Sequence, residues 1–375
     1  FALALWNGKD PILKERMFGL TNSEGNHGED VKEYYFYLDS TPTHSYMKWL
    51  YKYPQESFPY DALVAENRRR KETDPHASEF ELIDTGVFAG DRYFDVQVEY
   101  AKASPRDLLI KIQITNRGPS ASKLDVLPTL WFRNTWSWFH DAERPQLEGR
   151  PAAGPQQIAA IRATPAPSED EVGPMMIYCL RPDELLFVEN ETNSVRLWGG
   201  SPRTPYPKDG INDHVVMSRD TVNPALTGTK ASAAYHLEIE PQETKTVRLR
   251  LSSNLDHVDP FGPDFEATFQ TRFQDADQFY ASLGPEELTD DQRAIQRQAY
   301  AGMLWGKQYY YYHVRDWLKG DPVGPPEIRR EFAPYIRRVA AVNLGGGHFI
   351  NKEGFEVDAL IEAIREFRSE LGVEV

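Results

Sequence analysis

Residues 26–53 pack His27, Glu29, Asp30, Glu33, Asp39 and His44 among Tyr34, Tyr35, Tyr37, Tyr46, Trp49, Tyr51 and Tyr53. That mixture suits a sugar. Aromatic faces stack on its C–H-rich faces, while carboxylates and amides bind its hydroxyls. Asn26, His27, Glu29, Asp30, Glu33 and Tyr35 are the candidate substrate-binding residues here. The same stretch also reads as an aromatic loop packed on its own sandwich. A second cluster, Leu130–Trp138, brings three tryptophans within eight residues. It nominates Trp136 and Trp138 as a stacking platform, or else as a plug at a domain interface. A third, Lys208–His214, holds Asp209 and Asp213, whose oxygens could ligate calcium. Their spacing is not that of an EF-hand loop, so a polar turn is expected there. The nine histidines show no zinc-ligand spacing, and no nucleophile elbow of the GxSxG type occurs. No catalytic, metal-binding or cofactor-binding residue is nominated.

The bulk properties narrow the partners. A chain of 375 residues is long enough for about two domains. A net charge of −15 argues against nucleic acid, whose binders carry a basic stripe. Arg68–Lys71 sits beside acidic residues and reads as a solvated helix end. No run approaches the ~18 apolar residues of a membrane span. Phe1–Trp6 is apolar but short and lacks a basic flank, so a signal peptide is not expected, and the start at Phe1 rather than Met points to a natural start upstream. The single cysteine, Cys179, excludes an internal disulfide and fits a reducing, cytoplasmic location.

Strands must position these clusters. Phe94, Val96, Val98 and Tyr100 alternate with polar residues, as do Leu108, Ile110, Ile112 and Ile114. This period of two buries one face. Asn116–Pro119 supplies a turn before a further strand over 123–132. The run 235–239 and the run 247–251 repeat the pattern, with Pro241-Gln242-Glu243 read as their hairpin. Two helices follow. Asp264–Leu283 carries Phe265, Phe269, Phe273 and Tyr280, and Gly284-Pro285 ends it. Thr289 and Gln292 form a capping box that opens a second helix over 290–319. Ile295, Ala299, Met303 and Trp305 are its expected apolar positions. With Tyr309–Tyr312 it is apolar all round, so Trp305, Tyr309, Tyr310 and Trp317 are expected to lie exposed unless another domain covers them. The fold class is mainly β: a large antiparallel β-sandwich over 1–260, then two long helices, then a short C-terminal βα appendage.

Several phrases carry a resemblance. LALWNGKDPILKERMFGLTNSEGNHGEDVKEYYFYLDSTPTHSYMKWLYKYPQ (3–55), DTGVFAGDRYFDVQVEYAKA (84–103) and NRGPSASKLDVLPTLWFRNTWSW (116–138) are followed by ENETNSVRLWG (189–199), KDGINDHVV (208–216), NPALTGTKASAAY (223–235) and QAYAGMLWGKQYYYY (298–312). In this order, residues 3–319 resemble the front part of bacterial glycoside hydrolase family 63 proteins, relatives of mannosyl-oligosaccharide glucosidase. The resemblance implies a β-sandwich packed on an (α/α)6 barrel, an α-glucoside or oligosaccharide as partner, and inverting hydrolysis. An acid would protonate the leaving oxygen, and a carboxylate roughly 6.5–9.5 Å away would activate water. In that family both carboxylates sit in the barrel, which should follow Tyr312 and is missing here. Residues 261–320 would then be a helical linker toward it, and the chain would be inactive alone.

The end of the chain points elsewhere. Residues 335–375, above all Ala341–Ile350 with Gly345-Gly346-Gly347, resemble carboxynorspermidine decarboxylase, a pyridoxal-phosphate barrel enzyme. In such barrels the glycine loop turns backbone amides toward the cofactor phosphate. The Schiff-base lysine region and the remaining barrel strands are missing, so no cofactor is expected. Residues 321–375 are expected to be an unrelated βα fragment, joined by a misassembled or frameshifted reading frame and poorly packed on the body. Two other functions remain open: a stand-alone carbohydrate-binding or scaffolding sandwich, and a pyridoxal-phosphate decarboxylase fragment.

Overall fold

The strand pattern of the sequence closes into two antiparallel sheets. The computed structural model describes residues 1–16, 33–74, 76–138, 143–167, 173–283 and 288–306. Asn26–Asp30, the stretch after Gly306 and the triple-glycine tail fall outside them.

Fourteen strands are present among the described residues: β1 (Ala2–Trp6), β2 (Lys14–Arg16), β3 (Tyr34–Ser40), β4 (Tyr46–Pro54), β5 (Tyr93–Ser104), β6 (Asp107–Asn116), β7 (Ser122–Trp131), β8 (Gln146–Ala153), β9 (Ile158–Thr164), β10 (Met175–Leu180), β11 (Glu184–Val188), β12 (Thr227–Gly228), β13 (Lys230–Ile239) and β14 (Thr244–Ser252). A five-stranded sheet runs β11-β13-β7-β1-β2, and a nine-stranded sheet runs β12-β8-β9-β10-β14-β6-β5-β4-β3. Phe94, Val96, Val98 and Tyr100 of β5 and Ile110, Ile112 and Ile114 of β6 face Leu3, Leu5, Leu124, Val126 and Tyr235 of the smaller sheet in one core. The fold is therefore mainly β and sandwich-like, with a few helices.

Helices cover what the sheets leave open. On the outer face of the smaller sheet lies α3 (Gly210–Met217), its Ile211 packed with Ala4, Leu127, Leu186 and Ala234. The outer face of the larger sheet carries α4 (Pro263–Ala281), whose Phe265 and Phe269 meet Tyr46 and Leu109. Its Pro263 stands where a missing N–H costs nothing. Short helix α1 (Tyr60–Thr73) buries Leu63 against Phe58 and Leu82, while Arg69 and Arg70 at its end pair with Glu66 at the surface. The helix α5 (Asp290–Trp305) opens with the expected Thr289–Gln292 capping box.

Three expectations are corrected. Residues 241–243 are not a hairpin turn within one sheet, because β13 lies in the five-stranded sheet and β14 in the nine-stranded one. The half of β13 that leads into the turn pairs with β7, and its earlier half, 230–234, also pairs with β11. The turn is instead held by β6, with Gln242 N donating to Asn116 O (2.9 Å) and Asn116 N to Glu243 O (3.1 Å). Alternation reveals which face of a strand is buried, not which strand lies beside it. Lys208–His214 is not a polar turn, since most of it enters α3. Finally, α5 turns a different face inward. Ala301 and Trp305 are buried, whereas Ile295 (61%) and Met303 (65%) are exposed. Trp305 is thus a core residue rather than an exposed one.

Two compact units divide the described residues, each taken by itself. The sandwich with α1, α3, α4 and α5 is the first. Of the described residues, the second comprises 135–138 and 194–202. Its described parts are a 3-10 turn over Trp136–Trp138 and the short helix α2 (Ser194–Trp198), closed by Ser194 Oγ donating to Ser201 O at 2.7 Å.

Candidate functional site

The aromatic stretch of residues 33–53 becomes the outer end of the nine-stranded sheet, with β3 at its edge beside β4. In the antiparallel register Tyr35 stands opposite Tyr51 and Tyr37 opposite Trp49. Paired residues point to the same face. Tyr51, Tyr53 and Trp49 are core residues, so Tyr35 and Tyr37 extend the core face out to the rim. The indole of Trp305 lies on Tyr37, with centroids 5.2 Å apart and rings 13° from parallel. Tyr35 meets Tyr37 edge-on at 5.7 Å. The three rings form a ladder that starts in the core at Trp305 and ends at Tyr35, which is 37% exposed. On the opposite face of the strand, Phe36 is 40% exposed.

Carboxylates flank this ladder. Glu33 enters β3 with its side chain buried, bonded to Lys14 Nζ at 3.2 Å. Lys14 also reaches the Tyr60 hydroxyl and lies over the Phe58 ring, 3.5 Å from its centroid. Both side chains are nearly inaccessible, 1% and 4% exposed. A buried pair of this kind joins β2 to the start of β3 and presents neither charge to solvent. Nearby, Asp10 accepts from Tyr53 Oη and from the Phe58 amide, both at 2.5 Å.

Asp39, at the far end of β3, anchors α5. Its Oδ2 accepts from Arg297 Nε at 2.8 Å and from Arg297 Nη2, and Arg297 Nη1 reaches Asp277 at 2.5 Å. Burial pushes the Asp39 carboxyl above the usual range, partly offset by the hydrogen bond and charge of Arg297. Asp39 Oδ1 is buried without a hydrogen-bond partner. Trp305 Nε1 donates to Asp39 O at 3.1 Å, and Tyr280 Oη donates to Ser40 O at 2.5 Å. These contacts explain the rotation of α5. An Arg–carboxylate bond and a stacked indole at the sheet rim outweigh two aliphatic side chains left in water.

Of the sequence candidates, Glu33 and Tyr35 share the start of β3, while Asn26, His27, Glu29 and Asp30 lie outside the described residues. Trp136 is buried and belongs to the second unit, as does Trp138. A polar node absent from the sequence expectation sits in the first unit. Glu191, 2% exposed, takes Arg144 Nη2 at 2.9 Å and has Arg203 Nε 3.6 Å away. Asn190 Nδ2 donates to Phe132 O, and Asn193 Nδ2 to Asp209 Oδ2 at 3.0 Å. Short polar residues in Glu189–Asn193 resemble an ordinary loop, so only the fold reveals the burial of Glu191. Among the described residues, no group of three or more His, Cys, Asp or Glu is placed to hold a metal ion.

No family model matches the chain. It is similar to a protein of Saccharomyces cerevisiae called Uncharacterized protein YMR196W, 40% identical over 368 residues, covering 86% of this chain and 33% of that protein. The chain thus spans about a third of the length of the curated relative it matches. Among solved structures, a provisional kojibiose phosphorylase from the human microbiome matches with TM-score 0.23 and 7% identity, over 66% of this chain and 25% of that one. A galactose mutarotase related enzyme from Lactobacillus acidophilus matches with TM-score 0.22 and 10% identity, over 58% and 70%. Scores of this size fix neither a fold family nor an activity.

Proposed function

We propose that the sandwich is the non-catalytic, carbohydrate-facing front part of a longer glycoside-acting protein, and that sugar lies against the exposed end of β3. The ladder Tyr35–Tyr37–Trp305 carries this reading. A ring backed by two further rings keeps its orientation, and a rigid exposed aromatic face is what a sugar stacks on. The sequence phrases that resemble glycoside hydrolase family 63 supply the substrate class, an α-glucoside or related oligosaccharide. Inverting hydrolysis would require two carboxyl groups opening on one cleft. Glu33 and Asp39 are buried on Lys14 and Arg297 instead. The resemblance to that family would place the acid and base of the parent reaction in a barrel that follows this sandwich. A sandwich that binds sugar on its own is the second reading, favoured by the ladder needing no other domain to stand. A cytoplasmic location accompanies both, in keeping with the lone buried thiol of Cys179.

Calorimetric titration with gluco- and manno-oligosaccharides, run beside nitrophenyl α-glycoside turnover, tests the proposal. Saturable binding without turnover is expected. Tyr35→Ala should weaken it about two- to tenfold, the value of one aromatic contact. Turnover that disappears in Glu33→Ala would place catalysis in this chain and overturn the assignment.

A further inference from the structure

Two arginines share one buried carboxylate at the polar node that follows β11. Glu191 is 2% exposed, with Arg144 Nη2 2.9 Å from its Oε1 and Arg203 Nε 3.6 Å from its Oε2. Arg144 stands ahead of β8 and Arg203 ahead of α3, so three separate segments converge here. The loop that carries Glu191 is held at each residue from 189 to 191. Glu189 N donates to Tyr206 O at 2.8 Å, and Lys208 N donates to Glu191 O at 3.0 Å. Asn190 N donates to Thr229 Oγ1 at 2.8 Å, and Asn190 Nδ2 to Phe132 O at 2.8 Å. A carboxylate on so firm a backbone fixes the orientation of what it binds.

The two guanidinium groups keep most of their donors. Each carries five N–H groups in a planar fork. Arg144 commits Nη2 to Glu191, and Arg203, 3.6 Å away, makes no hydrogen bond among the described residues. Both side chains reach water, Arg144 at 46% and Arg203 at 36% exposure, while the carboxylate between them does not. One arginine would suffice to pair one buried carboxylate. The second puts an extra positive charge at the carboxylate itself. Of the neighbouring acids, Asp209 Oδ2 takes Asn193 Nδ2 at 3.0 Å and Glu189 Oε2 takes Thr229 Oγ1 at 2.7 Å. Lys208 adds a further cation beside Asp209.

We propose that Arg144 and Arg203 form a clamp for the phosphate group of a phosphate monoester, with Glu191 as the residue that positions them. Two guanidinium groups flanking one point match a phosphate better than a carboxylate. A phosphate dianion has three outward oxygens and can accept from both forks, whereas the two oxygens of a carboxylate are filled by one. The chain as a whole carries a net charge of −15, so anions are not drawn to it from afar. Affinity must come from contact at the clamp, and it should fall as salt rises. The clamp shares no residue with the ladder at β3, so the two sites are tested independently.

Calorimetric titration of the full chain at low salt with glucose 6-phosphate, inorganic phosphate, glucuronate and glucose tests the clamp. Glucose 6-phosphate should bind saturably and more tightly than glucuronate. Arg144→Gln and Arg203→Gln should each weaken it about tenfold, the value of one charge-assisted contact. Each variant leaves Glu191 one arginine, so the thermal melt should stay close to that of the natural chain. Tyr35→Ala should leave glucose 6-phosphate binding unchanged. Glu191→Gln separates positioning from charge. It makes the node more positive, so charge alone would tighten binding, whereas loss of orientation weakens it, and weakening is expected. Phosphorus NMR of the bound ester gives a second readout, a shift that either arginine variant should remove. No saturable binding at millimolar ligand, binding indifferent to both arginine variants, or glucuronate binding as tightly as the phosphate ester would overturn the clamp. Tighter binding by Glu191→Gln would overturn the positioning role of Glu191.

Discussion

Removing the indole of Trp305 tests whether α5 is part of the sandwich or merely follows it. Trp305 is 9% exposed, stacked on Tyr37 at 5.2 Å and edge-on to Tyr100 at 6.3 Å. Truncating a buried tryptophan to alanine costs about 3–5 kcal/mol through lost transfer energy and the cavity left behind. The site is at the sheet rim, where neighbours can settle inward, so the lower end applies, about 3 kcal/mol. Loss of the Nε1 donor also removes its hydrogen bond to the Asp39 carbonyl, about 1 kcal/mol more. The sum is a large part of the ~5–15 kcal/mol that stabilises an ordinary domain. In urea, with unfolding followed by far-ultraviolet circular dichroism, Trp305→Ala should lower the midpoint by about 1–2 M. Trp305→Phe keeps a stacking ring and should lose only about 1 kcal/mol. A loss below about 1 kcal/mol for the alanine variant would refute the packing role of α5.

Burial pushes the Cys179 thiol up to about 12, so a disulfide reagent at pH 8 should label it only on unfolding. Labelling in the native chain at the rate of a free thiol would contradict this, and absorbance of the released thiolate measures it. A Cβ on Gly210 would stand 2.3 Å from the carbonyl oxygen of Thr221, so Gly210→Ala should destabilise by about 1–3 kcal/mol. Gly302→Ala, in the last turn of α5 with nothing within 4 Å, should instead stabilise by about 0.5–1 kcal/mol, and thermal melts compare the two.

The sequence was most legible where one physical signal decided the outcome. Period-two runs at Phe94–Tyr100 and Leu108–Ile114 gave two central strands and their buried faces. The Thr289–Gln292 pair gave a helix start, because capping is local chemistry. Partner choice was not legible. Nothing within Tyr235–Leu251 tells that β13 and β14 belong to different sheets, since that depends on which edges other strands have filled. The inward face of α5 was hidden for a similar reason. Ile295 and Met303 have the higher hydropathy, but a buried carboxylate 258 residues away, Asp39, selects Arg297. At the candidate site, sequence composition pointed to Glu33 and Tyr35 alike. The structure separates them, enclosing Glu33 with Lys14 and leaving part of Tyr35 in water. Lys14 itself gave no warning, because a lone lysine is rarely buried without a partner that only folding supplies.

Exchange mapping with an α-gluco-oligosaccharide at saturating concentration tests the sugar-facing role of β3 most directly. Binding should slow exchange in residues 34–37, and Tyr35→Ala should abolish the effect while leaving the fold intact. Binding that protects another surface and leaves 34–37 unchanged, or no protection anywhere at millimolar ligand, would contradict a sugar site at the end of β3.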